Sequence, residues 1–471
     1  MAPSDSDEPP AKRARLEVDS EDEEMVYAAP EPVRASNLYL DTINRAALDF
    51  DFEKVCSVST SNINVYGCLV CGKYYQGRGR KSYAYAHSIH DDHHVFINLA
   101  STKVYVLPDG YEVSDPSLED IAYVLRPTFS RASVPAPDHA RISYDLASQP
   151  YLPGYVGLNN IKHNDHMNVI IHALLHVRPL RDFLLLTDHN GTELTRRFAV
   201  LARKIWNPRL FKSQVSPHEF LQEVNRASNG KFRLEQQGDP IDFISWLLNR
   251  LHKDLGGTKK RSSSIIFATF QGSIRVETQH VLVKADGEAK PTFDIDRDIK
   301  SNTSPFLLLA IDLPPPPLFQ DSVEKNIVPQ VSIHSVLSKY DGKTAQENLG
   351  ILRRYQAESL PPYLIFHFKR FTKNAFVEEK NPTIVNFPLK GLDMRDYISG
   401  DHKEPILYDL VANVVQESVA GTTRDKENTV WKVNLLAGEK WYQIQDLIVE
   451  EARKEMIFLG ETTLQIWERR K

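Results

Sequence analysis

At 471 residues, with 41% hydrophobic and 25% charged side chains, the chain has an ordinary globular composition and is long enough for two or three domains. A formal net charge of −5 excludes an overall electrostatic attraction to nucleic acid. The apolar runs are too short to span a bilayer, and no apolar h-region follows Met1, so we expect neither a membrane span nor secretion. All three cysteines lie between Cys56 and Cys71, which favours a metal site in a reducing compartment over a disulfide framework.

The first 36 residues are polar, charged and rich in proline, with an almost unbroken acidic run at residues 19–24. Because too few apolar groups are present to offset the entropy of ordering the chain, residues 1–36 are predicted to form a disordered tail. The basic stretch Lys12-Arg13-Ala14-Arg15 is typical of a nuclear-import signal. A solvated charge patch is the alternative interpretation.

Residues 37–130 combine the cysteines with histidines and aromatic residues, and they are predicted to form a small compact domain. Its last element is predicted to be a helix with Pro116 in the first turn, ended by Pro127. One face of this helix is apolar: Leu118, Ile121, Ala122 and Leu125.

A metal site in this domain is indicated by Cys68-Leu-Val-Cys71, followed by His87 and His93. The C-x2-C pair brings two thiolates onto one cation, and two imidazoles complete a tetrahedral shell, which predicts one structural zinc ion. Structural cysteines beside surface histidines are the alternative, and the choice of histidines stays open because His90 and His94 lie nearby. A nucleic-acid-reading finger shares these ligand types, but no tandem finger follows.

The rest of the chain is predicted to be a linker and one large domain. Residues 131–150 carry three prolines among small and polar residues, which is typical of a linker. Residues 151–471 alternate helical and strand patterns, which predicts an α+β domain. We predict amphipathic helices at 169–177 and 243–251, and strands at 264–275, 363–371 and 430–436.

The cysteine-bearing segment resembles the zinc-finger domain of ubiquitin-specific proteases, in which C-x-x-C-G leads to C-G-R, H-x-x-x-H and a further histidine. The matching stretches are residues 68–72, 76–78 and 83–87, and His93. The resemblance implies that one of two family zinc sites is intact here and that the other is lost. The slots of the lost site hold Cys56, Ser59, Gln76 and Tyr83.

Members of this family that bind the free ubiquitin tail use an arginine and aromatic walls. The resemblance assigns Arg78 and Tyr66 to these positions, whereas Val106 replaces a tyrosine. This replacement argues against binding of the ubiquitin tail.

Residues 157–174 resemble the nucleophile box of ubiquitin-specific proteases, G-L-x-N-L-G-N-T-C-Y-M-N-x-x-L-Q-x-L. Further blocks follow in the family order at residues 236–243, 360–371, 385–388 and 441–446. The resemblance implies a papain-like fold of thumb, palm and fingers for residues 151–471.

The residues in the catalytic slots differ from those of the family. Asp165 occupies the place of the cysteine, which a thiol protease needs at a helix start. A carboxylate is a poor acyl nucleophile, whereas an aspartate there can cap amide donors and complement the helix dipole. Thr429 falls near the place of the general-base histidine, and no histidine follows His402; Gln445, next to Asp446, falls in the slot of the orienting residue. We therefore expect a pseudoenzyme without catalytic residues.

Three other histidines are candidates for a functional role. The family's oxyanion slot holds His163 instead of asparagine. His172 and His176 lie four residues apart, as metal ligands on a helix can, but no carboxylate signature accompanies them. Packing or surface exposure is the favoured interpretation of this pair.

A zinc finger joined to a protease domain with aspartate in the cysteine slot resembles one subfamily: the inactive ubiquitin-specific-protease-like splicing factors of the spliceosomal tri-snRNP, the snRNP assembly-defective family. This resemblance implies a nuclear, non-catalytic scaffold that promotes assembly or maintenance of the U4/U6.U5 tri-snRNP by holding spliceosomal proteins, or snRNA. A ubiquitin or ubiquitin-like receptor without turnover is the alternative, and an atypical deubiquitinase comes third.

Overall fold

The computed structural model describes residues 39–134, 141–186, 191–284, 292–295, 299–315, 328–373, 378–419 and 428–470. The predicted tail and its basic stretch at residues 12–15 lie outside these ranges. The chain divides into two compact units, Met1–Asp49 with Lys54–Ala122 and Phe50–Glu53 with Tyr123–Lys471. Within the described part, every helix is too short or too polar to cross a membrane.

The first unit is a small antiparallel sheet with one helix against it. Its elements are β1 (Val65–Cys68), β2 (Tyr74–Gln76), α1 (Tyr83–His90), β3 (Val95–Asn98), β4 (Val104–Val106) and β5 (Tyr111–Val113), in the sheet order β2-β1-β3-β4-β5. Short 3-10 helices lie at Leu40–Thr42, Arg45–Ala47 and Pro116–Leu118.

The helix predicted after Pro116 is confirmed. The 3-10 turn Pro116–Leu118 continues directly into α2 (Glu119–Leu125). Asp115 caps the turn, because its side chain accepts a hydrogen bond from the backbone N–H of Ser117 at 2.8 Å.

The second unit begins with short strand pairs and a helical region. Its helices are α3 (Asp165–Leu175), α4 (Arg178–Leu186), α5 (Glu193–Ile205), α6 (His218–Ala227), α7 (Pro240–Asp254) and α8 (Ile265–Phe270). The short strands are β6 (Ser143–Tyr144) with β7 (Pro150–Tyr151), and β8 (Gly157–Leu158) with β9 (Gln214–Val215). All of α3 is buried, because helices and a sheet enclose it. The predicted helices at 169–177 and 243–251 correspond to α3 and α7.

Two larger sheets follow. One contains β10 (Gly272–Lys284), β11 (Thr292–Ile295), β12 (Lys300–Phe306), β15 (Gln346–Asn348) and β16 (Ile351–Ser359). The other, in the order β13-β17-β26-β22-β23-β24-β25 with β21 against β22, contains β13 (Leu309–Asp312), β17 (Tyr363–Lys369), β21 (Leu392–Asp393), β22 (Leu407–Val419), β23 (Asn428–Ala437), β24 (Lys440–Gln445), β25 (Ile448–Ala452) and β26 (Glu461–Arg469). The strands predicted at 363–371 and 430–436 are confirmed by β17 and β23.

Smaller elements connect these sheets. They are β14 (Gln330–Ser332) with β20 (Ile384–Asn386), β18 (Phe371–Lys373) with β19 (Glu378–Lys380), α9 (Ile333–Leu337), and 3-10 helices at Ser338–Tyr340, Arg395–Tyr397 and Lys454–Leu459. The combination of helices and mainly antiparallel sheets confirms the predicted α+β class.

The prediction of one strand over residues 264–275 was wrong in its first half. Residues Ile265–Phe270 form α8, and β10 starts only at Gly272. Ser264 begins the helix, since its hydroxyl accepts a hydrogen bond from the N–H of Phe267 at 3.3 Å. In so short an apolar run, the spacing of the hydrophobic residues cannot distinguish a strand from a buried helix.

The large sheet separates two hydrophobic cores. Alternate residues of a strand share a face, so Trp431, Val433 and Leu435 of β23 pack with α3 and the other helices. The opposite face of the sheet packs with α9 and with the 3-10 helix at Lys454–Leu459. The first turn of α3 thereby lies against β23.

Candidate functional site

The four predicted metal ligands come from four neighbouring segments of the first unit. Cys68 ends β1, Cys71 lies in the turn to β2, His87 is on α1, and His93 lies between α1 and β3. The turn needs glycine at position 72, because its φ is +75° and a Cβ there would lie 2.2 Å from the carbonyl oxygen of Ala47.

The ligand atoms of these four residues lie within 4.8 Å of one another. Cys71 Sγ is 3.4 Å from His87 Nε2, and His93 Nδ1 is 3.1 Å from the same nitrogen. Zinc bonds of about 2.0 to 2.3 Å in a tetrahedron put neighbouring ligand atoms about 3.3 to 3.8 Å apart. The residues present therefore fit a tetrahedral zinc ion.

Neighbouring side chains support this choice of histidines. His87 Nδ1 pairs with Asp91 Oδ2 at 2.6 Å, which leaves Nε2 directed at the cluster, as in carboxylate–histidine–zinc arrangements. His94 is engaged elsewhere, with the carbonyl of Leu107 at 2.7 Å and with Asp92 at 2.8 Å. His90 is exposed.

The two thiols of the cluster differ in acidity. A hydrogen bond from the Cys68 thiol stabilises the Cys71 thiolate and lowers the pKa of Cys71. The same hydrogen bond, together with burial, raises the pKa of Cys68. A bound zinc ion would hold both groups as thiolates.

The slots of the second family zinc site form a hydrogen-bonded group. Ser59 Oγ donates to Gln76 Oε1 at 2.8 Å, and the backbone N–H of Ser59 points to Cys56 Sγ at 3.4 Å. Cys56 is 1% exposed. Two neutral polar side chains thus interact where the family would have metal ligands.

Arg78 lies against an aromatic residue that the sequence analysis did not single out. Its guanidinium carbon is 4.5 Å from the ring centroid of Tyr105, and it also donates to the carbonyl of Gly110 at 3.3 Å. Tyr66 packs edge-on against Tyr105, whereas Val106 is fully buried. The aromatic neighbour of Arg78 is therefore Tyr105, one residue before the valine.

Asp165 is the first residue of α3 and is 4% exposed. Its Oδ2 accepts hydrogen bonds from Gln237 Nε2 at 2.6 Å and from the backbone N–H of Trp431 at 3.3 Å. The expected capping of its own helix is not seen: the cap position belongs to Asn164, and the Asp165 carboxylate bonds across to β23 and to the segment before α7. Its position in the first turn still complements the helix dipole.

Gln237 joins Asp165 to Thr429. The Gln237 amide nitrogen also donates to the Thr429 carbonyl at 3.0 Å, and Thr429 Oγ1 donates to Gln237 Oε1 at 3.0 Å. The side chains in the nucleophile and base slots are thus connected through an amide rather than paired with each other.

The acidic group that reaches α3 from the end of β24 is Asp446 and not Gln445. Its carboxylate accepts hydrogen bonds from Asn160 at 3.0 Å and from Asn168 at 3.3 Å. Burial raises the pKa of Asp446; the two amide donors oppose that rise, and the nearby charge of Asp165 adds to it. Asp446 has a φ of 49°, so the chain turns sharply directly after Gln445.

The three other histidines named from the sequence differ in exposure. His163 is exposed. His172 and His176 are 1% and 7% exposed, and burial lowers their pKa values to about 3 and about 4. His176 Nδ1 lies 2.7 Å from the carbonyl oxygen of His172, and its ring packs against Tyr155.

Two family models match the chain. "Ubiquitin carboxyl-terminal hydrolase" matches residues 156–466, and "Zn-finger in ubiquitin-hydrolases and other protein" matches residues 56–118. The chain belongs to the ubiquitin carboxyl-terminal hydrolase family. The hydrolase model covers Asp165, Gln237, Thr429 and Asp446, and the finger model covers the Cys/His cluster.

Curated relatives of this family match almost end to end. "Probable mRNA-splicing protein ubp10" of Schizosaccharomyces pombe is 48% identical over 97% of this chain and 95% of its own. "Ubiquitin carboxyl-terminal hydrolase 39" of Homo sapiens is 45% identical over 99% and 84%. "Pre-mRNA-splicing factor SAD1" of Saccharomyces cerevisiae is 32% identical over 92% and 93%.

Solved structures also align with most of the chain. The crystal structure of an essential yeast splicing factor aligns with a TM-score of 0.74 at 31% identity, over 92% of this chain and all of that one. The Ubp8 subunit structure, from the SAGA module bound to ubiquitin aldehyde, aligns with a TM-score of 0.52 at 16% identity, over 90% and 91%. This second similarity concerns the fold alone.

Proposed function

We propose that this protein is a nuclear pre-mRNA splicing factor that acts as a non-catalytic scaffold in the assembly or maintenance of the U4/U6.U5 tri-snRNP. The observation that carries the proposal is the similarity along nearly the whole chain to two relatives named as splicing proteins, at 48% and 32% identity. The basic stretch at residues 12–15 is in keeping with a nuclear location. Its partners would be spliceosomal proteins, with snRNA as a further contact.

The protein would not act as a hydrolase. The sequence has no thiol after Cys71, and the Asp165 carboxylate is held by the Gln237 amide and the Trp431 N–H. Thr429, in the base slot, cannot accept and return a proton near neutral pH as histidine does. The degenerate residues Asp165, Thr429 and Gln445 would therefore serve structure rather than catalysis.

The domains would be a tail at 1–36, a zinc finger at 37–130, a linker at 131–150 and the hydrolase-like domain at 151–471. Cys68, Cys71, His87 and His93 would hold one zinc ion, which stabilises the finger and leaves no open position for a substrate. The second family site would be metal-free, since Ser59 and Gln76 hydrogen-bond to each other there.

A ubiquitin receptor without turnover is the second candidate. Arg78 above Tyr105 is the observation that favours it, because this pair could receive a terminal carboxylate. Titrating the full-length protein with free ubiquitin, monitored by NMR of labelled ubiquitin, tests it. Saturable shifts at the ubiquitin tail, lost in Arg78→Ala, would establish this candidate; their absence would reject it.

Affinity purification of the tagged protein from nuclear extract tests the splicing proposal. We expect tri-snRNP proteins to be recovered both with the wild-type chain and with Asp165→Asn. A failure to recover them would reject the splicing assignment.

A ubiquitin-tail fluorogenic substrate and ubiquitin chains test the non-catalytic part separately. We expect no turnover above buffer. Turnover that Asp165→Ala abolishes would show an atypical hydrolase.

A further inference from the structure

A second cleft opens in the hydrolase-like unit, away from the Asp165 site. It has a volume of about 1180 Å³ and is lined by the start of α4, the ends of β16 and β26, and the residues that lead into β17. Arg178 and Pro179, in its wall, follow the C-terminal end of α3, whereas Asp165 begins that helix. Eleven helical residues span about 16 Å, so this cleft and the degenerate catalytic site are separate.

The cleft combines an apolar floor with charged walls. Pro362 and Ile398 contribute apolar surface, whereas Leu360 and Ile406 are buried. Four arginines and four carboxylates also line it, so the net charge of the lining is close to zero. The phosphate backbone of a nucleic acid would be repelled by those carboxylates, and it would bury little apolar surface against the floor of the cleft. A short segment with one localised charge and an apolar side chain fits the lining better.

The carboxylates already have partners within the protein. Asp409 accepts hydrogen bonds from Arg470 at 2.6 Å and from the N–H of Gly391 at 2.7 Å. The remaining pairs are Asp182 with Arg181 at 2.8 Å, Glu358 with Thr303 at 3.2 Å, and Glu468 with Arg178 at 3.9 Å.

Among the described residues, two arginines have no carboxylate partner, just as Glu358 has a neutral hydroxyl rather than a cation beside it. Arg261 donates to the carbonyl of Leu360 at 3.2 Å, and Arg469 joins the backbone of Pro362 through its main-chain N–H. In the part of the chain that the structure describes, neither guanidinium has a carboxylate within 4 Å. Both are exposed, and both lie near enough to the buried Tyr408 hydroxyl to oppose the rise in its pKa that burial causes. Within the described ranges, the cleft therefore presents two arginines without a carboxylate partner beside its apolar surface.

We propose that this cleft binds an extended peptide segment of a partner protein in which an aspartate or glutamate lies next to an aliphatic or aromatic residue. The carboxylate would form charge-assisted hydrogen bonds with Arg261 and Arg469, and the apolar side chain would cover Pro362 and Ile398. The proposal rests on the scaffold function for the expectation that the partner is a protein. It adds a named docking surface to that function.

An array of ten-residue peptides, each with Asp or Glu beside Leu, Ile or Phe in a Gly/Ser background, tests the proposal with the full-length protein. The same array carries each peptide with Lys in place of the acid. We expect the acidic series to be retained over the lysine series at about 0.15 M salt, with affinities of the best peptides measured by fluorescence polarisation. Equal retention of the two series would overturn the proposal.

Variants locate the site. Arg261→Glu with Arg469→Glu should weaken the best peptides at least tenfold, whereas Arg353→Glu, an exposed arginine outside the cleft, should leave them unchanged. If the double reversal lowers the thermal midpoint, Arg261→Gln with Arg469→Gln replaces it. Unchanged binding in the folded double variant, or displacement of the peptide by poly-uridine RNA, would reject the peptide site. Recovery of tri-snRNP proteins by the wild-type chain would at the same time leave the splicing proposal standing.

Discussion

Gln237 Nε2 donates a hydrogen bond to Asp165 Oδ2 at 2.6 Å, and this contact fixes the carboxylate at the head of α3. The same nitrogen reaches the carbonyl of Thr429, so one amide connects α3, β23 and the segment before α7. The carboxylate in the nucleophile slot thus has a structural role. It supplies an acceptor to the buried N–H of Trp431 and to one of the two amide hydrogens of Gln237.

Replacing Asp165 by alanine should therefore destabilise the hydrolase-like unit. The Trp431 N–H and one amide hydrogen of Gln237 lose their acceptor, which costs about 1 to 3 kcal/mol. Asp165→Asn keeps one carbonyl oxygen and should lose less. Thermal unfolding followed by tryptophan fluorescence measures the difference, with the exposed Asp401→Ala as control. Equal midpoints for the alanine and asparagine variants would contradict this role.

The parts of the structure that sequence could predict are those set by local spacing. Cys68, Cys71 and their two histidines lie within 26 residues, and a metal ligand set of this kind follows from sequence order alone. The Gln237 bridge joins residues 72 and 192 positions apart, and no local pattern encodes such pairs. Asp446 rather than Gln445 contacts α3 through Asn160 and Asn168, which lie 286 and 278 positions away, and no local pattern encodes these pairs either. The role of Tyr105 could have been suspected from an aromatic residue next to Val106.

Zinc content should separate the two thiol sites of the finger. We expect inductively coupled plasma mass spectrometry to find about one zinc ion per chain, because one tetrahedral ligand set is present. Cys71→Ser should release the ion and lower the thermal stability of the finger. Cys56→Ser is the matched control and should keep it. Loss of zinc from the Cys56 variant alone would place the metal at the other site.

The lost site should be recoverable. Cys56, Ser59 and Gln76 already lie together, so Ser59→Cys, Gln76→Cys and Tyr83→His would supply three thiolates and an imidazole. We expect zinc content to rise from about one to about two ions per chain, with a gain in thermal stability that a chelator reverses. A variant that carries these three substitutions together with Cys56→Ser should bind the second zinc ion more weakly. A content that stays at one would show that these four positions do not form a tetrahedral site.

Acid should destabilise the protein through His172 and His176, whose folded pKa values of about 3 and about 4 lie below the unfolded value of about 6.5. The unfolded chain then binds more protons, so this stability is fully present above pH 6.5 and is lost as the pH falls from 6.5 toward 4. Each histidine contributes up to about 1.4 kcal/mol per pH unit in that window.

Neither nitrogen of His172 has a hydrogen-bond partner among the described residues, so His172→Leu removes its titration without breaking such a bond. The variant should lose less thermal stability than wild type between pH 7.5 and pH 5, whereas the exposed His402→Leu should follow wild type. Acid release of zinc affects all three proteins alike, so identical pH profiles for His172→Leu and wild type would show that this histidine does not set the acid sensitivity.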